Sequence, residues 1–203
     1  MNKKSLSTLI AFCLLMSPIA WAEATTKLVT FGIYSNRHLN PKLSFDENVA
    51  LYVWEDTGKL GELNDDSNLS GQYMRFAYSN KSKSWFGIGY AVLPDGNLVD
   101  MSKYASGYLC VSLKSSGYIP TNLMIGIKSG NTRSGESWIK NLSEYGFTND
   151  GKWHNLRIPI ADFQNANTAF FDLSRISQYF MLVGKNLTNN GVIDFDEIYW
   201  EIP

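Results

Sequence analysis

The stretch Asp150-Gly151-Lys152-Trp153-His154-Asn155-Leu156-Arg157-Ile158-Pro159-Ile160-Ala161-Asp162-Phe163 is the most informative part of this chain for its fold class. It opens with Asp-Gly, a turn dipeptide, and the side chains after it alternate between two faces. One face carries Trp153, Asn155 and Arg157, and the other carries His154, Leu156 and Ile158. Pro159 has no backbone N–H to donate, so it excludes a central strand beyond this point. The pattern predicts a turn, a half-buried strand and a stop.

The same alternation recurs along most of the chain, and no long stretch has a helical period of 3.6 residues. Short runs are separated by clusters of Gly, Asn, Asp and Ser, which is typical of a sandwich or jelly roll. The nine predicted strands are 28–33, 50–55, 73–78, 86–92, 107–114, 123–128, 153–158, 179–184 and 192–200. Residues 55–72 are interpreted as one long irregular loop. The predicted fold is all-β, a two-sheet antiparallel β-sandwich of the jelly-roll type.

The N-terminus has the three parts of a secretory signal peptide. Lys3 and Lys4 supply the positive region, residues 9–15 are apolar, and Ala20-Trp21-Ala22 fits the cleavage pattern. We therefore predict a signal peptide over residues 1–22 and one domain over residues 23–203. The mature protein would be secreted to the periplasm or the exterior. Cys110 is then its single cysteine, so an intrachain disulfide is excluded.

The overall charge argues against one large class of partner. The chain has a net charge of -1 and a pI near 6.1, which gives no electrostatic footprint for nucleic acid. Beyond the leader, no run is long and apolar enough to insert in a membrane. Aromatic residues make up 14% of the chain, so in an all-β protein they either fill the core or form a stacking surface.

Catalytic patterns are weak in this sequence. The two histidines are His38 and His154, and no Gly-x-Ser-x-Gly or His-Glu-x-x-His motif is present. The best enzymatic candidates are Asp194, Asp196 and Glu197, because two carboxyl groups can flank a glycosidic bond. Their spacing differs from that of jelly-roll glucanases, which carry Glu-x-Asp and a second Glu three residues later. We predict no catalytic residue.

A series of short motifs resembles one known family. Its segments here are Gly32-Ile33-Tyr34-Ser35, Leu51-Tyr52-Val53-Trp54-Glu55, Trp85-Phe86-Gly87-Ile88-Gly89, Tyr104-Ala105-Ser106-Gly107-Tyr108-Leu109, Ile125-Gly126-Ile127-Lys128 and Asp196-Glu197-Ile198-Tyr199-Trp200. Together with 150–163 they resemble a secreted bacterial carbohydrate-binding module of the galactose-binding-like jelly-roll type. The resemblance implies a sandwich that binds sugar on a concave sheet face or in nearby loops. It also implies structural calcium, with Asp196 as a ligand and carbonyls from 32–36 as partners.

Alternation then indicates which side chains are available for a sugar. Leu51 and Val53 take the core side of their strand, so Tyr52 and Trp54 face away from it. The same reasoning turns Arg75 and Lys128 outward, while Trp85 and Trp138 each follow a polar loop. The predicted carbohydrate-binding residues are Tyr52, Trp54, Arg75, Trp85, Lys128 and Trp138. Trp153 and Trp200 are assigned to packing or to covering a sheet edge, and His154 to a partly buried structural role. Arg75 also has the alternative of an ion pair with a carboxylate.

The sequence thus predicts a monomeric, non-catalytic protein that binds a polysaccharide or oligosaccharide through an aromatic-lined face. Two alternatives stay open at this level. One is a polysaccharide lyase or glycoside hydrolase on the same fold, and the other is an adhesin whose partner is a protein.

Overall fold

The computed structural model describes residues 29–34, 49–54, 57–64, 72–80 and 84–202. The predicted signal peptide and residues 35–48 therefore lie outside the described residues. The described residues form eleven strands and one α-helix. They are β1 (Val29–Tyr34), β2 (Val49–Val53), β3 (Gly58–Asn64), β4 (Gln72–Tyr78), β5 (Trp85–Val92), β6 (Tyr108–Ser115), β7 (Asn122–Ser129), β8 (Glu136–Ile139), β9 (His154–Pro159), α1 (Ile160–Ala166), β10 (Ile176–Lys185) and β11 (Gly191–Ile202).

The strands form two antiparallel sheets that pack as a sandwich, so the predicted fold class is confirmed. The first sheet has the order β3-β4-β11-β6-β9, and β1 pairs with the second half of β11. The second sheet has the order β2-β5-β10-β7-β8. No helix among the described residues is both long and apolar enough to cross a bilayer.

The core lies between the sheets and is supplied by alternate residues of both. Phe76 and Phe195 from the first sheet, and Ile88, Ile125 and Phe180 from the second, are completely buried. Trp200 is also completely buried, and its Nε1 donates a hydrogen bond to the carbonyl of Tyr179 at 3.1 Å. Of the two roles expected for Trp200, packing or covering a sheet edge, the structure shows packing.

The stretch 150–163 folds largely as its pattern indicates. Leu156 and Ile158 are buried while Asn155 and Arg157 are exposed. The strand β9 ends at Pro159 and lies at the edge of its sheet, where the missing N–H of proline leaves no ladder bond unmade. His154 is partly buried and its Nε2 lies 2.7 Å from Asp150 Oδ1, which agrees with a structural role. After Pro159 the chain forms α1, which the sequence did not predict.

Two other expectations were wrong. Residues 55–72 are not one irregular loop, because β3 lies within them and pairs with β4 along its whole length. Residues 136–139 form β8, which pairs with β7 and was not among the predicted strands. Both are short or polar edge strands. Each belongs to its sheet through pairing with a neighbouring strand, which its own side-chain pattern does not show.

Candidate functional site

An open groove of about 560 Å³ lies on the outer face of the second sheet. The central strand β10 forms its floor through the buried side chains of Met181 and Val183. Trp54, Trp85 and Trp138 line its sides. The strand register explains this layout, because Gly89, Met181, Gly126 and Trp138 form one cross-strand row. Trp54 and Trp138 consequently stand on either side of β10.

Trp54 owes its position to two glycines of β5. It directly follows β2, and its indole ring lies over Gly87 and Gly89. A Cβ at Gly87 would lie only 2.2 Å from Trp54 Cε3, and a Cβ at Gly89 would lie 3.0 Å from Trp54 Cη2. Any other residue at Gly87 would therefore displace the ring. The Gly-x-Gly pattern in β5 forms a bare strip of backbone on which the ring rests half-buried, with its other side left for a ligand.

Trp138 repeats this arrangement across the groove. It stands in β8 directly opposite Gly126 of β7. A Cβ at Gly126 would lie 2.5 Å from Trp138 Cε3 and 2.9 Å from the methyl carbon of Met181. Two half-buried tryptophans, each placed on glycine backbone, thus flank a floor of apolar side chains. Sheet geometry puts β5 and β7 about 10 Å apart, since β10 lies between them.

The ends of the groove are polar and charged. Near the start of β10, Gln178, Lys128 and Glu136 occupy one cross-strand row, and Arg133 lies just before β8. Near the end of β10, Lys185 pairs in register with Trp85. Lys185 lies seven positions after Gln178, so the groove extends along the strand for about 20 Å. This length suits an extended chain of several sugar units better than one monosaccharide.

The structure therefore brings together four of the six predicted binding residues: Trp54, Trp85, Lys128 and Trp138. Tyr52 is on the same side of β2 as Trp54 but lies outside the groove. Its hydroxyl donates a hydrogen bond to Asp95, which raises the pKa of Tyr52. Binding by Tyr52 stays a prediction.

Arg75 is placed far from the groove, on the first sheet. Its Nε and one terminal nitrogen donate to the two carboxylate oxygens of Asp194 at 2.7 and 2.8 Å. Asp194 retains only 3% of its side-chain exposure, so its charge is balanced chiefly by this guanidinium. The hydrogen bonds to Asp194 raise the pKa of Arg75. Arg75 points away from the core, as the alternation of side chains predicted. It lies on the outer face of the first sheet, however, whereas the groove lies on the outer face of the second.

The candidate catalytic carboxylates are on the first sheet as well. Asp194 and Asp196 belong to β11 and are 2% and 0% exposed, and Glu197 is 8% exposed. One oxygen of Asp196 accepts a hydrogen bond from the backbone N–H of Glu197 at 2.8 Å. Buried carboxylates on the first sheet cannot flank a glycosidic bond in the groove of the second.

Among the described residues, no cluster of three or more His, Cys, Asp or Glu side chains could hold a metal ion. The resemblance, however, implies backbone carbonyls as the partners of Asp196. Part of the expected partner segment 32–36 lies outside the described residues. Calcium therefore stays a prediction that rests on the resemblance.

The sequence reasoning missed Arg133, Glu136, Gln178, Met181, Val183 and Lys185, all of which line the groove. The sequence does contain one signal for the positions of the Trp54 and Trp138 rings. Glycines recur at 87, 89 and 126 in strands otherwise rich in large apolar residues, and a glycine inside a strand marks the close approach of another group. No comparable signal marks Arg133 or Lys185, because their place depends on strand order.

The fold is a two-sheet β-sandwich, and the groove on its second sheet is lined by aromatic and polar side chains. Comparison of the sequence with family models identifies the family: residues 19–201 match carbohydrate binding domain 30, and the chain belongs to this family. The earlier resemblance to a carbohydrate-binding module is thus confirmed. The family is one of non-catalytic binding modules, so the chain is assigned to binding and not to catalysis. A search of curated proteins gave no match.

Solved structures give the same fold. The family 30 carbohydrate-binding module of the cellulosomal cellulase Cel9D-Cel44B of Clostridium thermocellum is 20% identical, with a TM-score of 0.55 over 74% of this chain and 84% of that one. Another family 30 module is 17% identical, with a TM-score of 0.58 over 85% and 98%. The exo-1,3/1,4-β-glucanase (ExoP) from a Pseudoalteromonas species is 12% identical, with a TM-score of 0.54 over 85% of this chain and 20% of that enzyme. At these identities the likeness concerns the fold alone.

Proposed function

We propose that this protein is a secreted, monomeric module that binds one polysaccharide chain along β10, between Trp54 and Trp138. The observation that carries the proposal is the pair of indole rings resting on glycine backbone at either side of the groove. Sugar rings present C–H groups on their faces, and these pack well on aromatic rings. Both tryptophans are partly buried already, so little of their freedom remains to be lost on binding.

The polar ends of the groove complement this stacking. Sugar hydroxyls need both donors and acceptors, and Gln178, Glu136 and Lys128 supply both kinds in one cross-strand row. Ser84 and Asn186 likewise supply donors and acceptors near Lys185. A chain lying along β10 would thus stack at its middle and form hydrogen bonds towards its ends.

The first ligands to test are β-glucans, because the similar solved structures include a cellulase module and a 1,3/1,4-β-glucanase. Isothermal titration calorimetry with soluble β-1,4- and mixed-linkage β-1,3/1,4-glucans would measure the affinity. We expect Trp54→Ala and Trp138→Ala each to cost about 2 kcal/mol, or roughly 30-fold in Kd, as for a central aromatic anchor.

The matched control is Trp153→Ala, because Trp153 is also half-buried but packs on Tyr73 of the first sheet. This variant should retain the affinity of the wild type. Absence of binding to a broad panel of polysaccharides, or equal losses in all three variants, would contradict the proposed site.

Secretion is part of the proposal and rests on the sequence of residues 1–22. Expression of the full chain in a bacterial host, followed by intact mass measurement of the exported protein, tests it. We expect a mature chain that starts at Glu23, and retention of the complete chain in the cytoplasm would contradict the prediction.

A further inference from the structure

The described lining of the groove carries an excess of positive charge. Its described lining contains the cations Lys128, Arg133 and Lys185 and one carboxylate, Glu136. Lys128 stands opposite Glu136 in register, so these two charges offset one another in part. Arg133 and Lys185 are left as the excess. The whole chain has a net charge of -1, so this is a local concentration of positive charge.

The cations of the groove also differ from the arginines of the other sheet in how they are paired. On the first sheet, Arg75 is bound to Asp194 and Arg157 to Glu201, with N–O distances of 2.7 and 2.5 Å. In the groove, by contrast, none of the three cationic side chains forms an ion pair or hydrogen bond with another described residue. Their donors are therefore available to a ligand.

The positions of these cations match a ligand with repeated charge. Arg133 and Lys128 lie towards the Gln178 end of β10, and Lys185 lies at the other end, about 20 Å away. A single terminal acid group would reach one end only. A polymer with an acidic group on many of its sugars would reach both ends while its rings lie between the tryptophans.

We infer that the groove selects a polysaccharide that carries negative charge, as carboxylate or sulfate groups, over its neutral counterpart. The inference rests on the proposed function of the groove and adds the class of ligand. Lys and Arg side chains donate but cannot accept hydrogen bonds, so carboxylate and sulfate oxygens satisfy them more fully than hydroxyls do. Bonds of this kind are stronger than those between neutral groups.

The test compares polymers with the same backbone. Binding to carboxymethyl cellulose and cellulose sulfate is measured against hydroxyethyl cellulose, whose substituents are neutral, at low salt and at 1 M NaCl. We expect at least ~10-fold tighter binding of an anionic polymer at low salt, and a much smaller difference at 1 M, where the Debye length is about 3 Å. Preference for one anionic polymer over the other assigns the acid group.

Variants distinguish selection of anionic polymers by the groove from a general electrostatic attraction between the protein and a polyanion. The double variant Arg133→Gln and Lys185→Gln should lose most of the preference for the anionic polymers, measured as the ratio of its Kd for hydroxyethyl cellulose to its Kd for each anionic polymer. Lys59→Gln is the control, since Lys59 is an exposed cation on β3 of the first sheet, and it should behave as the wild type. Trp138→Ala should weaken binding to all three polymers.

The outcomes distinguish this inference from the proposed function. Equal affinity for charged and neutral polymers, without salt dependence, overturns the inference and leaves the function intact. A preference unchanged by the double variant also overturns it, because the charge effect would then arise elsewhere. Binding to none of the three polymers, nor to any other glycan tested, overturns the proposed function itself.

Discussion

Replacing Gly126 by alanine should weaken binding without removing any side chain from the groove. The new Cβ would lie 2.5 Å from Trp138 Cε3, whereas ordinary contacts begin at 3.4 Å, so the ring must move by about 0.9 Å. A displacement of 0.5–1 Å forfeits roughly a quarter to a half of each dispersion contact. If Trp138 is worth about 2 kcal/mol as an anchor, the loss is about 0.5–1 kcal/mol, or roughly 2- to 5-fold in Kd.

The assay is calorimetric titration of the wild type, Gly126→Ala, Trp138→Ala and the double variant with one soluble polysaccharide. If the methyl group acts through the ring, it should have no effect once the ring is gone, so the double variant should equal Trp138→Ala. Gly61→Ala is the matched control, because its Cβ would meet nothing within 4 Å and Gly61 lies on the first sheet.

Two results would refute the reasoning about Gly126. One is an unchanged Kd for Gly126→Ala, which would mean that the position of the indole ring does not matter. The other is a double variant weaker than Trp138→Ala by the same 2- to 5-fold, which would show that the methyl group acts on something else. Melting curves must accompany the titrations, to show that Gly126→Ala is folded at the assay temperature.

Three further predictions concern residues outside the groove. Arg75→Ala should lower the free energy of unfolding by about 1–3 kcal/mol, because it deprives the buried Asp194 of its partner. The Kd for polysaccharide should stay unchanged. A weaker Kd with unaltered stability would restore Arg75 to the binding site. Burial, with a smaller effect of Glu201, raises the pKa of Cys110 to about 12. Iodoacetamide should therefore modify the native protein at pH 8 far more slowly than the urea-unfolded protein. Equal rates would show that the thiol is exposed. If calcium binds at Asp196, EDTA should lower the melting temperature and added Ca²⁺ should restore it. The melting temperature of Asp196→Asn should respond neither to EDTA nor to Ca²⁺. An identical melting temperature of the wild type with and without EDTA contradicts the calcium prediction.

Local pattern determined much of what is now established about this chain. The period of two in its short runs gave the fold class and the side of each strand that faces the core. Met74 and Phe76 are buried while Arg75 between them is not, and Ile125 and Ile127 are buried while Lys128 lines the groove. These predictions succeed because the side-chain period of a strand is a local property that follows from its backbone geometry.

The tertiary structure alone decided which outward residues share a surface. Arg75 and Lys128 have the same local pattern, but the strand order puts Arg75 on the first sheet, paired with Asp194, and Lys128 in the groove of the second. Arg133 and Lys185 line the same groove as Lys128 only because β7 pairs with both β10 and β8. Strand order depends on contacts between residues far apart in the chain, and a local period carries no information about which strand becomes the neighbour of which.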